Sequence, residues 1–389
     1  MKIGYVCNEY PPAPHGGIGV FVHTIAHSMK QRGHSVTVIG LSQENQDRDD
    51  NGVRVVTLAS TAIRGVSWLV DRWRLREWLI NAVREGRIDL VEVPDFEGML
   101  PFRFLACPVV IRLHLAATVI ALQAGRRRPR RMSLCESLTL GWRREWIAAS
   151  RYILRLTMET FGLKPQTANV IPLPARLPPE NLEDARLELP DNFILYAGTV
   201  SERKGAYTLA QAARRFLQIY SDVHLVYAGP ITSDQGIPAD QHIRQILGPA
   251  LLARVHFLGR VRHATVAACM HRARLFAFPS TLESLGLVAV EAMLSGLPIV
   301  VSDSGPFPEF VRNRETGLLV PPRDSAALSA AVESLLKSPA LSYRLGSNAA
   351  RDAQARFSVE RFACATEECY SSLISSKSQE QIRRRSALK

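Results

Sequence analysis

Short apolar runs alternate with segments of helical periodicity along the first half of the chain. Each run spans five or six residues and is too short for a buried helix, so we interpret it as a strand. A helix is predicted over Gly19–Arg32, where apolar residues recur at the helical period. Strands that alternate with helices indicate an α/β fold with a parallel, doubly wound sheet. The predicted strands are Lys2–Cys7, Val36–Leu41, Val53–Leu58, Asp89–Val93 and Val109–His114.

A proline-rich segment interrupts this pattern near the middle of the chain. Five prolines lie between residues 172 and 190, and proline is excluded from central strands because it cannot donate to the ladder. We therefore expect a linker over residues 173–190, between an N-terminal domain over 1–172 and a second α/β domain over 191–355. The predicted strands of the second domain are Phe193–Ala197, His224–Ala228, Val255–Leu258, Leu275–Phe278, Pro298–Ser302 and Gly317–Val320.

Composition narrows the class of protein. Hydrophobic residues make up 47% of the 389 positions and charged residues 22%, as in a soluble globular protein. The chain starts as a strand and lacks the features of a signal peptide, and no apolar run reaches the roughly 18 residues that a transmembrane helix needs. Because the six cysteines are scattered without a CxxC pair, we expect free thiols in a reducing, cytoplasmic compartment.

The net charge of +12 indicates either an anionic partner or a basic face that is exposed to solvent. Arginines cluster in residues 72–87, 126–131, 143–144 and 383–385, mostly in the first half. Positive charge concentrated in one part of the chain favours binding to an anionic surface. No nucleic-acid-binding motif is present, so we expect no nucleic acid partner. Peripheral contact of the N-terminal domain with an anionic membrane, on its inner face, and a solvated face without a partner both remain open.

The segment Trp68–Ile80 alternates tryptophan, leucine and arginine near helical spacing. Such a helix can lie in the interface of a bilayer. The interpretation that we favour is an ordinary helix that covers the N-terminal sheet, with its tryptophans in the core.

The segment Phe276–Met293 carries the strongest chemical signal of the chain. A strand ends at Phe278, a polar loop carries Glu283, and a helix is predicted to open near Leu285–Gly286. The free N–H groups and positive dipole of a helix start bind phosphate, and Gly286 allows an anion to approach the backbone. Glu283 would then reach a sugar beside the phosphates. Glu291, about two helical turns further, would meet the hydroxyls of a ribose. Alternatively, Glu283 caps the helix and Glu291 faces solvent.

In the first half, paired glycines lie between the first strand and the first helix. Gly16 and Gly17 would allow close approach of an anion or a sugar. The competing interpretation, a dinucleotide fingerprint, is disfavoured because Gly17-Ile18-Gly19 lacks a third small residue and no acidic ribose ligand follows the second strand. His114 ends a predicted strand, at the edge where such sheets bind ligands.

Glu283 and Glu291 together resemble the Glu-x7-Glu signature of the GT-B glycosyltransferases of family GT4. Phe193–Gly205 is similar to the phosphate loop of that family, and four later segments follow in the order of the family. These segments are Leu225–Gly229, Val255–Gly259, Leu297–Glu309 and Thr316–Val320.

The resemblance implies a GT-B fold, in which two Rossmann-like domains face each other across a cleft. It also implies that the helices in residues 356–389 cross back to the N-terminal domain before a basic tail. The expected activity is retaining transfer of a sugar from a nucleotide sugar, UDP- or GDP-linked, to a hydroxyl acceptor, lipid-linked or glycan, in glycoconjugate biosynthesis. Neither a metal nor another cofactor is expected. Acceptor choice would lie in residues 115–150.

By the same resemblance, Lys204 pairs with the donor diphosphate and the Gly286–Leu287 backbone holds it. Thr199 stands where the family has an arginine, and Arg203 would supply the second positive charge. His114 would contact the donor sugar. Weaker candidates in the first half are Tyr10, His15 and His23.

The same fold also supports other functions. A sugar phosphorylase, a nucleotide-sugar epimerase and a non-catalytic nucleotide-sugar-binding subunit remain alternatives, because fold alone does not separate them.

Overall fold

The computed structural model describes residues 1–12, 17–63, 65–102, 105–127, 130–142, 145–177, 188–234 and 236–386. The chain forms two compact units. The first comprises Met1–Leu173 together with Val359–Lys389, and the second comprises Pro174–Ser358. Among the described residues, no helix is both long enough and apolar enough to cross a membrane.

The first unit contains an eight-stranded sheet in the order β3-β4-β2-β1-β5-β6-β7-β8. All neighbouring strands pair in parallel except β3 and β4, which form an antiparallel hairpin. Its strands are β1 Lys2–Val6, β2 Ser35–Ser42, β3 Gln46–Asp50, β4 Val53–Ala59, β5 Leu90–Pro94, β6 Val109–Leu113, β7 Glu145–Ala148 and β8 Thr167–Val170. Its helices are α1 Gly17–Gln31, α2 Ser67–Arg84, α3 Ala117–Gln123, α4 Arg130–Trp142, α5 Arg151–Phe161 and α12 Val359–Ser386.

Every predicted strand of this unit is present with ends within one residue of the prediction, but the pattern did not indicate β3, β7 or β8. The sequence of β3 is Gln-Asp-Arg-Asp-Asp, and β8 is exposed along its length. Both are edge strands, where charged and polar residues are tolerated because they discourage pairing with other chains. An apolar-run criterion therefore misses such strands.

The expectation that the tryptophans of α2 lie in the core is wrong. The buried positions of α2 are Asp71, Leu75, Leu79 and Ala82, which recur at intervals of three or four residues and so share one face. The tryptophans recur every five residues and therefore rotate around the helix, and the side chain of Trp73 is 53% exposed.

The last helix, α12, packs on the first unit through a buried polar network. Arg112 of β6 donates two hydrogen bonds to the carboxylate of Glu92 on β5, at 2.9 and 2.8 Å. The hydroxyl of Tyr370 on α12 donates to the same carboxylate at 2.5 Å. A buried ion pair needs such additional hydrogen bonds to offset the loss of water, and α12 supplies one of them.

The second unit contains a six-stranded parallel sheet in the order β13-β10-β9-β14-β15-β16. This is the doubly wound order 3-2-1-4-5-6, and it reverses direction between β9 and β14. The six strands that the sequence predicts are all present within one residue. The strands of this sheet are β9 Phe193–Ala197, β10 His224–Ala228, β13 Val255–Gly259, β14 Leu275–Phe278, β15 Ile299–Ser302 and β16 Leu318–Val320. Two further short strands, β11 Ser233–Asp234 and β12 Ile237–Pro238, form a separate antiparallel pair. The helices are α6 Ala206–Ile219, α7 Ala239–Leu247, α8 His263–Arg272, α9 Leu287–Leu294, α10 Ser325–Lys337 and α11 Pro339–Arg356.

Candidate functional site

Two loops meet at the switch point of the second unit. One follows β9 and leads into α6, and the other follows β14 and leads into α9. Because β9 and β14 are parallel neighbours, both loops leave the sheet at its carboxyl edge. Open α/β sheets bind ligands in the crevice outside this edge, where the strand order reverses.

The two loops are joined by an ion pair between Lys204 and Glu283. Lys204 Nζ lies 2.5 Å from Glu283 Oε1, and the hydroxyl of Ser280 donates to the same oxygen at 2.8 Å. Both charged side chains are largely covered, so their electrostatic interaction is less screened than that of a surface pair. The ammonium and carboxylate that the sequence singled out therefore lie side by side.

Backbone contacts hold the same two loops in register. The backbone N–H and the hydroxyl of Thr281 donate to the carbonyl of Arg203 at 3.1 and 3.0 Å. Gly205 has φ +79°, and a Cβ atom there would lie 2.2 Å from the carbonyl oxygen of Pro279. The approach of the loops therefore requires glycine at position 205.

Arg203 and Thr199 both contribute to this loop structure. The Arg203 guanidinium donates to the carbonyl of Leu282 at 3.1 Å, so at least one of its nitrogens holds the β14–α9 loop. The carbonyl of Thr199 accepts from the hydroxyl of Tyr196 at 2.8 Å. Arg203 lies at the site but is partly committed to the loop that carries Glu283.

Helix α9 begins at Leu287, with Gly286 as its N-cap at φ +84°. No side chain caps this helix, which excludes the capping role considered for Glu283. The first backbone N–H groups of a helix have no intrahelical acceptor and form an anion site. The span from Leu287 to Glu291 is just over one helical turn. Glu291 therefore lies one helical turn and a short loop beyond Glu283, whereas the sequence predicted two helical turns.

Glu291 does not face solvent, contrary to the alternative considered from the sequence. Its side chain is 13% exposed, and its Oε1 lies 3.0 Å from Nε2 of His263, the first residue of α8. The hydrogen bond to Glu291 raises the pKa of His263 above its ordinary value. Sequence reasoning missed His263, because a single histidine 28 positions before its partner has no spacing that marks it.

In the first unit, His114 follows directly after β6. Its backbone N–H donates to Asp95 Oδ1 at 2.8 Å, and its ring meets that of Phe21 edge-on at 4.8 Å. Burial lowers the pKa of His114 to about 3, and the positive charge of Arg112 adds to this effect. The imidazole is therefore neutral at physiological pH and can accept or donate one hydrogen bond.

The remaining candidates of the first unit are Gly16, Gly17, Tyr10, His15 and His23. Gly17 is the first residue of α1, and a Cβ atom there would meet nothing within 4 Å. Gly16 and His15 lie outside the described residues. Tyr10 and His23 lie together, with ring centroids 5.5 Å apart, in a cluster around Asp50.

Two family descriptions match the chain, one in each half. Residues 16–174 match the family described as "Glycosyl transferase 4-like domain". Residues 179–352 match the family described as "Glycosyl transferases group 1", and this match includes Lys204, Glu283 and Glu291.

Similar proteins cover nearly the whole chain. A glycogen synthase of Mycobacterium tuberculosis is 27% identical over 95% of this chain and 94% of its own. A phosphatidyl-myo-inositol mannosyltransferase of Mycobacterium leprae is 28% identical over 98% of this chain and 100% of its own. The crystal structure of Anabaena HepE in complex with UDP-glucose has a TM-score of 0.74 at 20% identity, over 96% of this chain and 100% of that one. The predicted GT-B fold is confirmed.

Proposed function

Because the chain is a glycosyltransferase of the GT-B fold, with a second half that belongs to group 1, we propose that it is a retaining enzyme. In this proposal it moves a sugar from a nucleoside-diphosphate donor to a hydroxyl acceptor. The observation that carries the proposal is the convergence of Lys204, Glu283 and the start of α9 at the switch point of the second unit.

Each group at the switch point suits one part of such a donor. The Lys204 ammonium and the backbone N–H groups of Gly286 and Leu287 offset the charge of the diphosphate, which grows as the sugar departs. Glu283 accepts hydrogen bonds from hydroxyls of the sugar. Glu291, one turn into α9, accepts from the hydroxyls of the ribose, and His263 holds its carboxylate in place.

Arg203 and His114 have narrower roles in this proposal. Arg203 fixes the loop that carries Glu283 through the Leu282 carbonyl and adds positive potential near the diphosphate. His114, neutral because burial lowers its pKa, exchanges a hydrogen bond with the donor sugar. Gly17, the first residue of α1, leaves the backbone open to the same donor, and the sequence assigns the same role to Gly16.

The proposed reaction needs no separate general base. The acceptor oxygen forms a bond to the anomeric carbon on the face from which the nucleotide leaves, and the bond between that carbon and the diphosphate oxygen breaks. The departing diphosphate takes the proton of the acceptor hydroxyl, so the products are the glycoside and the nucleoside diphosphate. Protein groups rather than a metal neutralise the diphosphate in this proposal, so added Mg²⁺ should leave the transfer rate unchanged.

The donor is proposed to be a UDP- or GDP-linked sugar. The structural neighbour HepE contains UDP-glucose, and the names of two relatives specify glycogen synthesis and mannosyl transfer. A bound donor stabilises the folded protein by mass action. Thermal shift with a panel of UDP-, GDP- and ADP-sugars therefore identifies the base and the sugar.

Glu291→Ala provides the decisive variant for this test. The donor that raises the Tm of the wild type should fail to raise that of Glu291→Ala, while the control Glu315→Ala, an exposed residue paired with Arg312, should respond as the wild type does. Analysis of the product by NMR should show the anomeric configuration of the donor. Inversion, or an undiminished shift in Glu291→Ala, would contradict the proposal.

We further propose that the acceptor is reached at an anionic membrane surface. Five exposed apolar side chains lie near the starts of α2 and α4 and form an apolar patch. They are Ile63, Val66, Leu69, Trp73 and Leu134.

The start of α4 lies next to the start of α2. Arg131 Nη1 of α4 donates to the carbonyl of Gly65, just before α2, at 3.4 Å. Leu134 lies three residues after Arg131 and thus on the same face of α4. Exposed arginines at positions 126, 127, 130 and 131 flank this face. Apolar side chains that enter a bilayer beside arginines that bind acidic head groups are typical of peripheral membrane proteins.

Vesicle co-sedimentation tests this contact. The full chain should bind vesicles that contain phosphatidylglycerol, more weakly at high salt, and should not bind pure phosphatidylcholine. Trp73→Ser and Arg130→Gln should each reduce binding, whereas Tyr343→Ser, a change at a more exposed aromatic residue in the second unit, should not. Equal binding by all variants would place the contact elsewhere on the molecule.

A further inference from the structure

A cluster of imidazole and carboxylate groups lies in the first unit, apart from the residues assigned to the donor. His23 and His27 are four residues apart on α1 and therefore share one face, and Asp50 ends β3. One ligand atom from each of the three residues lies within 4.8 Å of the others. His27 Nε2 is 3.1 Å and His23 Nε2 is 3.7 Å from Asp50 Oδ2.

These separations match the coordination of a small transition ion. Bonds of about 2.0–2.1 Å at the tetrahedral angle place neighbouring ligand atoms about 3.3 Å apart. The two distances to Asp50 Oδ2 lie on either side of this value, and all three ligand atoms lie within 4.8 Å of one another, so side-chain rotations can bring them onto one ion. Two imidazoles and a carboxylate are a donor set that suits Zn²⁺, Ni²⁺ or Cu²⁺ better than Mg²⁺ or Ca²⁺.

The surroundings of the cluster also fit a metal site. The hydroxyl of Tyr10 donates to Asp50 Oδ2 at 2.8 Å, which orients the carboxylate as outer hydrogen bonds do in metal sites. Tyr10 itself is buried. The three ligand side chains are only partly covered, which leaves one side open to water as a further ligand.

We propose that His23, His27 and Asp50 form a binding site for a divalent transition ion, for which Zn²⁺ is the probe. Each residue supplies one ligand atom and water completes the coordination. The ion would tie α1 to the β3–β4 hairpin, because His23 and His27 belong to the helix and Asp50 to the hairpin. It stabilises the first unit.

Titration calorimetry of the full chain, stripped with EDTA and then freed of it, tests the proposal with Zn²⁺. One site is expected in the wild type, with a Kd raised at least tenfold in His27→Gln and in Asp50→Asn. His224→Gln is the matched control. His224 Nδ1 and His256 Nε2 lie 2.9 Å apart in the second unit, so they also form a contacting histidine pair. The loss of His224 should leave Zn²⁺ binding unchanged.

Co²⁺ provides a second readout that does not depend on affinity. Its visible spectrum should indicate nitrogen and oxygen ligands and should disappear in His27→Gln, whose Tm should be the same with Zn²⁺ and with EDTA. Three results would overturn the proposal. They are equal Zn²⁺ binding by wild type and His27→Gln, loss of binding in His224→Gln, and a thiolate–cobalt charge-transfer band, which would place the ion on a cysteine.

Discussion

Lys204 and Glu283 are 79 positions apart in the sequence, and their side chains meet at 2.5 Å at the switch point of the second sheet. In this ion pair, each group neutralises the other. In the proposed reaction, the ammonium turns to the diphosphate and the carboxylate to the sugar. The pair therefore keeps both groups in position before the donor arrives, and the two residues should act as a unit.

Lys204→Met and Glu283→Gln should each lower kcat by about 10²–10³-fold, as does the loss of one preorganised polar group elsewhere. Because each change leaves its partner without a counter-charge, the double variant should lose far less than the product of the single losses. Steady-state kinetics of the wild type, the two single variants and the double variant measures these losses of kcat. Lys337→Met provides the control, since Lys337 also pairs with a glutamate, Glu333, in the same unit. Multiplicative losses would show that the two residues act independently.

Gly286→Ala should weaken donor binding. Both Gly286, at φ +84°, and Gly296, at φ +77°, adopt a left-handed conformation, and alanine there costs about 1–3 kcal/mol of strain. At Gly286 the new Cβ would also lie 2.9 Å from the ring of Phe307, whereas at Gly296 it would meet nothing within 4 Å. Both variants should therefore lose stability, and Gly286→Ala alone should raise the KM for the donor. A KM effect of similar size in Gly296→Ala would indicate a general loss of structure instead.

His263 should titrate above its ordinary range because it donates to Glu291. A histidine whose pKa is raised on folding contributes stability that is present below pH 6.5 and is lost as the pH rises through its folded pKa. NMR titration of the imidazole should give a midpoint above 6.5, and Glu291→Gln should lower it. The stability difference between wild type and Glu291→Gln should also be larger at pH 6 than at pH 9. A midpoint that is the same in both proteins would rule out the contact.

The strands could be predicted from the sequence because their apolar runs are continuous and are bounded by proline, glycine and polar residues. The run Phe193–Ala197 and its glycine, for example, determine both a strand and the loop after it. By contrast, the charged β3 strand has no local signal, since only its pairing with β4 makes it a strand. The buried face of α2 was also misjudged, because tryptophan was weighted above the leucines that recur at the helical period.

Some features of the site and of the packing could likewise be predicted from the sequence, and others could not. Glu283 and Glu291 could be found from the sequence because one lies in the loop after a strand and the other in the helix that follows, whereas Lys204 was identified through the resemblance to the phosphate loop of the family. His263 and the hydrogen bond of Tyr370 to Glu92 could not, because they depend on tertiary contacts between segments that are 28 and 278 positions apart. The direction of the Arg203 side chain likewise depends on the neighbouring loop, which supplies the Leu282 carbonyl.

The carboxylate of Asp95 accepts hydrogen bonds from the backbone N–H groups of His114 and Leu115. Burial raises its pKa to about 7, despite these hydrogen bonds. Because the unfolded carboxyl has a pKa of about 3.9, the folded protein binds the additional proton between these values. Its stability should therefore fall as the pH rises from about 4 to about 7, by an amount on the order of 2–4 kcal/mol.

Asp95→Asn should remove this dependence, so the wild type should lose stability relative to the variant between pH 5 and pH 8. His114 changes stability in the opposite direction, because its lowered pKa makes the folded protein less stable as the pH falls from 6.5 towards 3. Both proteins keep His114, so the comparison isolates Asp95. Chemical denaturation at the two pH values measures the difference, and Asp191→Asn, an exposed aspartate in the second unit, controls for the change of charge. A difference between wild type and Asp95→Asn that is independent of pH would show that Asp95 stays ionised in the folded protein.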